Sequence, residues 1–177
     1  MKKSEIADLL EVKHQALFQY FKNQKAELWE KGPDGKWTSG QQAFHLLQSI
    51  KPLNSALNLP KFILRLRFGK SNREVRDYET VVRRYHERLN DSNGGTFAPS
   101  RNMEIPPLTE KEFIIDQLQI ESKKLQYITN NWKDKDLDTI ILPHPLMGKM
   151  PVRELLMWTA YHVEHHTHSL QSGYQDI

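Results

Sequence analysis

Apolar residues recur at helical rather than strand spacing along nearly the whole chain, and proline and glycine stand where the pattern stops. Ile6, Leu9, Leu10, Leu17, Tyr20 and Phe21 share one face, which predicts a first helix from Ser4, as N-cap, to about residue 29. Gly32, Pro33, Asp34 and Gly35 form a turn cluster, and Thr38 or Ser39 opens a second helix carrying Phe44, Leu47 and Ile50. Pro60 opens a short helix through Leu66 that stops at Gly69, and Ser71 caps another over about 72–90. The stretch from Asn90 to Pro107, rich in glycine and proline, reads as a long loop of the kind that often serves as a lid. Thr109 and Glu112 have capping-box spacing before a helix with Ile114, Leu118, Leu125, Ile128 and Trp132 at heptad-like intervals. A last helix follows Met150, with Pro151 at its first position, and runs to about Gln171, with Gly173 as its stop. Four long helices with one elaborate connection predict an all-α four-helix bundle in a single domain over 1–177.

The last helix is unusual in its polar content. It reads YHVEHHTHSL, with His162, His165, His166 and His168 close together. At about 100° per residue, His162 and His166 lie only about 40° apart. They share a stripe with Val152, Leu155, Thr159, Val163 and Leu170, the face a bundle buries. Two imidazoles at this spacing can meet on one cation, and burying them without partners would cost roughly a few kcal/mol each. The plainer reading is a pair of core histidines bonded to backbone or carboxylate, or a surface-exposed patch. His165 falls to one side of the stripe and His168 on the polar face, so both are expected to be exposed.

A metal needs further ligands, and composition narrows the choice. The 177 residues include no cysteine, so thiolate ligands, disulfides and a cysteine nucleophile are excluded. His14, His45, His86 and His144 remain. The wheel places His45 between Gln41 and Gln42, nearly opposite the apolar face of its helix, and gives none of the others a stronger local case. Periodicity leaves the third ligand open. The formal charge of +3 is too small to argue for nucleic acid, and the acidic residues among the first twelve argue against an export signal. No stretch reaches the length of a membrane span, so a cytoplasmic location is expected.

Two segments carry a resemblance. The run KWTSGQQAFHLLQSIKPL, with Trp37 and His45, and the run LPHPLMGKMPVRELLMWTAYHVEHHTHSL, with its His-Pro turn and HxxxH, resemble the opening and closing signatures of DinB-like proteins, including the YfiT branch. That resemblance implies an up-up-down-down bundle and a divalent metal, zinc or nickel, held by His45, His162 and His166 with water completing the coordination. It also turns His45 inward, against its wheel position. Members include assigned metal-dependent hydrolases and transferases or isomerases that use low-molecular-weight thiols such as bacillithiol or mycothiol. The expectation is therefore an enzyme that activates a thiol or a water on a small-molecule substrate, with a homodimer as a further implication. The rival is a metal-binding bundle without catalysis, serving stress response or partner binding.

A basic run from Lys61 to Arg88 lies in the connection between helix pairs, interleaved with Glu74, Asp77, Glu79 and Glu87. A solvated face accounts for most of it. Arg65 and Arg67, flanked by apolar residues, are the candidates for an anionic thiol or carboxylate. His144, at the turn before the last helix, either lines the pocket mouth or braces the His-Pro turn.

Overall fold

The computed structural model describes residues 1–91 and 102–173, so most of the predicted 90–107 loop lies outside the described residues. The class is all-α, as expected. The α-helices are α1 (Lys3–Asn23), α2 (Ser39–Leu57), α3 (Lys61–Phe68), α4 (Tyr78–Asp91), α5 (Lys111–Asn131), α6 (Asp134–Thr139) and α7 (Val152–Gly173). A two-stranded antiparallel hairpin, β1 (Ile141–His144) and β2 (Gly148–Pro151), stands immediately before α7.

The long helices pack α1 on α7 and α5, and α2 on α5. Leu10, Leu17 and Phe21 of α1, Leu46 and Ile50 of α2, Ile114, Leu118 and Leu125 of α5, and Leu156 and Met157 of α7 fill the core between them. Side-chain bonds give the directions. Lys13 Nζ meets Glu164 Oε1 at 2.6 Å and Tyr20 Oη donates to the Leu170 carbonyl at 3.3 Å, so α1 and α7 run parallel. His45 lies beside His162 and Gln42 beside His166, so α2 opposes α7. Lys3 reaches the Trp132 carbonyl just past the end of α5, so α5 opposes α1. The order is therefore up-down-down-up, not up-up-down-down. An up-up-down-down bundle needs two long crossovers, and here only the 58–110 connection, which holds α3 and α4, spans the bundle.

Other boundaries shift for local reasons. α1 stops at Asn23, and Ala26–Trp29 forms a separate 3-10 turn that buries Leu28 and Trp29. Ser4 does not cap α1; the Lys2 N–H donates to the Glu5 carboxylate at 2.8 Å instead. Thr109 sits inside a 3-10 turn, Leu108–Glu110, and makes no capping box. The Ser71 hydroxyl bonds Arg73, and α4 begins seven residues later, where Asp77 Oδ1 accepts from the Thr80 N–H at 2.7 Å. The second helix is capped as its sequence predicts. Thr38 Oγ1 accepts from Gln41 N at 3.1 Å, and Gln41 Oε1 accepts from Thr38 N at 3.0 Å. Gly40 lets this helix start pack on Trp29, where a Cβ would come within 2.7 Å of the Trp29 carbonyl. None of the helices among the described residues is long and apolar enough to cross a membrane.

Candidate metal centre

α2 is buried on two sides. One face, with Leu46, Ile50 and Asn54, meets α5, while Gln42 and His45 meet α7. The helical wheel counts only the larger apolar face, which is why it placed His45 outside; in the fold His45 is 8% exposed. On α7, His162 and His166 lie on the buried stripe at 4% and 8% exposure.

The three imidazoles converge through the same ring atom. His45 Nε2 and His166 Nε2 each lie 3.1 Å from His162 Nε2. Their ligand atoms all fall within 4.8 Å of one another, the only such group of three or more histidines or carboxylates among the described residues. Three nitrogens about 2.1 Å from one tetrahedral ion would be about 3.4 Å apart. The observed spacing suits a shared ion.

Protonation points the same way. Burial, with a smaller contribution from nearby His165, pushes His45 down to about 4. Burial, then the neighbouring imidazoles, holds His162 and His166 well below 6.5. All three are neutral at pH 7, and each has one lone pair to give. His166 Nδ1 faces Gln42 Oε1 at 3.1 Å, which makes Nδ1 the donor and leaves Nε2 as the free acceptor. If His162 takes the same tautomer, its Nδ1–H finds no partner, and that atom is unsatisfied and buried. No carboxylate stands in the group to provide a proton-bonded alternative. Where His45 and His162 take the same tautomer as His166, the three imidazoles present lone pairs to one another, and a divalent ion could complete the group.

Two tryptophans wall the group. The Trp158 ring stacks on His162 at 4.5 Å and 20°, and Trp37 lies parallel to His166 at 6.2 Å and 5.0 Å from His45. Trp37 is thus more than the packing residue its place at a helix start suggests, and neither Gln42 nor Trp158 carried a signal in the sequence.

The other candidates fall elsewhere. His144 is buried, and its Nδ1 accepts from the N–H groups of Leu146 and Met147 at 3.1 and 2.9 Å. It braces the hairpin turn, and its ring packs on Trp158 at 4.1 Å between ring centroids. Arg65 pairs with Asp136 of α6, and Arg67 is exposed over the Phe68 ring. α6 is tied by Asp134 and Asp138 to Arg153, at the start of α7. That helix start lies about 20 Å along the axis from His166, so neither arginine joins the three histidines. His168 is exposed as expected, whereas His165 is half-buried against Tyr85 and His86. His14 is buried in α1 and bonds its own helix, Nδ1 to the Leu10 carbonyl at 2.7 Å.

A family model described as the DinB superfamily matches residues 9–170, and the chain belongs to that superfamily. No curated protein and no solved structure matches it.

Proposed function

With membership of the DinB superfamily as the premise, we propose that His45, His162 and His166 hold one divalent ion, zinc or nickel. We further propose that the protein is an enzyme which uses this ion to activate a thiol or a water for attack on a small molecule. The observation that carries the reading is the convergence of three neutral imidazoles, with His45 Nε2 and His166 Nε2 each 3.1 Å from His162 Nε2, in a buried group with no carboxylate or thiolate. Three imidazoles leave coordination positions open to water or substrate, which distinguishes catalytic from structural sites.

When bound, the ion supplies Lewis acidity that brings a thiol or a water toward deprotonation near neutral pH. The chain supplies the rest. Gln42 fixes the tautomer and ring plane of His166. Trp158 and Trp37 hold the rings of His162, His166 and His45 in place and exclude water from their apolar sides. Burial keeps all three ligands unprotonated at pH 7. Because the chain has no cysteine, a thiol nucleophile would come from a low-molecular-weight cosubstrate.

The test is an assay of untagged protein loaded with zinc or nickel. Electrophiles are offered with a panel of low-molecular-weight thiols, beside ester and amide substrates. Turnover that disappears in His166→Ala is the expected result. Silence across every class, with metal bound, would overturn the enzymatic reading in favour of a metal-binding bundle without catalysis.

A further inference from the structure

Beside the stripe of His162 and His166, α7 carries a second set of imidazoles. Tyr161, His165 and His168 follow one another at i, i+4 and i+7, so they share one side of the helix. Helix α4 packs along that side and brings His86 to it. The ring centroids of His86 and His165 are 6.4 Å apart, and Tyr161 Oη lies 2.5 Å from His86 Nε2. His86 and His168 are exposed and His165 is half-buried, so solvent reaches this group, whereas His45, His162 and His166 are all buried.

The geometry suits a cation. Two imidazoles on one tetrahedral ion hold their ring centroids roughly 5 Å apart. The buried histidines already stand at 4.7, 4.9 and 5.0 Å. His86 and His165 must close by about 1 Å, and the exposed rings of His86 and His168 have room to turn. Tyr161 occupies Nε2 of His86, which leaves Nδ1 as the free nitrogen. In that arrangement the phenol oxygen accepts the Nε2–H and sets the ring plane, as acceptors behind metal-bound imidazoles do. Both His86 and His168 act electrostatically on His165, which lies between them. Ordering two surface side chains costs affinity, so this site is weaker than the buried one.

We propose that His86, His165 and His168 form a second, solvent-accessible site for a divalent transition ion such as zinc, nickel or copper, with Tyr161 orienting His86. Equilibrium dialysis of the untagged chain against zinc chloride, from micromolar to millimolar, resolves the two sites. The wild-type chain should take up two ions, the second at least about a hundredfold more weakly, and lose that one on desalting. His45→Ala, which removes a ligand of the buried group, should keep the weak ion. In that background His86→Ala and His168→Ala should each weaken it about tenfold or more, and Tyr161→Phe about tenfold. An unchanged thermal melt of the zinc-free chains confirms that the fold survives. One tight ion in the wild-type chain with none in His45→Ala at millimolar zinc would overturn the proposal. So would a weak ion indifferent to both His86→Ala and His168→Ala. Loss of the buried site alone reads differently: the same single weak ion in the wild-type and His45→Ala chains, which supports the outer site.

Discussion

Helix α7 carries two buried polar clusters, and they are built on opposite principles. At its first turn Glu154, 1% exposed, receives Arg73 through both terminal nitrogens at 2.5 and 2.8 Å, the Arg76 backbone N–H at 2.7 Å and the Arg76 guanidinium at 3.2 Å. Next to it Arg153 bonds Asp134, Asp138 and the Met1 carbonyl. Every charge there has its complement within the chain. Three turns later His45, His162 and His166 turn their Nε2 atoms toward one another, and His162 Nδ1 has no partner. The first cluster is complete and ties the crossover and α6 to α7. A cation would complete the second. A buried polar group that is fully paired reads as structure, whereas one made only of acceptors reads as a binding site.

That contrast can be broken at several points. The largest effect is expected at the histidines. His166→Ala removes one of three ligands and should weaken metal binding by about a thousandfold or more, while apo-protein stability changes little; competition with a chelating dye reads the affinity. Glu154→Gln should do the reverse. It leaves Arg73 and Arg76 without their acceptor and costs about 3 kcal/mol in chemical denaturation, with metal affinity unchanged. If Glu154→Gln lost metal as readily as His166→Ala, the two clusters would not be independent.

Acid separates them further. Burial pushes His14, His45 and His144 down to about 4 from an unfolded value of 6.5. The unfolded chain therefore takes up these protons first, and stability is fully present above 6.5 and lost as pH falls from 6.5 toward 4. The loss should be on the order of 2 kcal/mol for a group as buried as His14. Protons also compete with the ion for the three Nε2 atoms, so metal leaves in the same window. Burial pushes the Glu154 carboxyl up, but the Arg73 bonds, the Arg76 N–H and both positive charges outweigh it and hold it below 4.5. Its contribution is present above 4.5 and fails only at lower pH. A pH series of denaturation curves, with and without metal, should show the metal-dependent increment vanishing first. The smallest effect is expected at Gln42→Leu, which frees the ring of His166 and should weaken metal binding about 10- to 100-fold without unfolding the protein.

The legible and illegible parts of the fold divide along a physical line. His162 and His166 could be read because both lie at one-turn spacing on the single apolar stripe of α7. The second helix and its Thr38 cap could be read because a capping box is a local interaction. His45 could not, because α2 buries a second, polar face against α7, and one helix's periodicity carries no trace of that; family resemblance alone pointed inward. The stretch before Tyr78, expected to be helical from about residue 72, is not helical for a related reason. Arg73 and Arg76 are captured by Glu154, some eighty residues away, and that long-range pairing outweighs local helical preference. Helix directions are fixed by side-chain bonds between helices far apart in sequence, and the single long crossover agrees with them.

Metal content tests the proposed ion at His45, His162 and His166 most directly. Protein purified without a His-tag, incubated with zinc or nickel and desalted, should carry about one equivalent per chain by elemental analysis, and His45→Ala less than about a tenth of that. Less than about a tenth of an equivalent in the wild-type chain would contradict it.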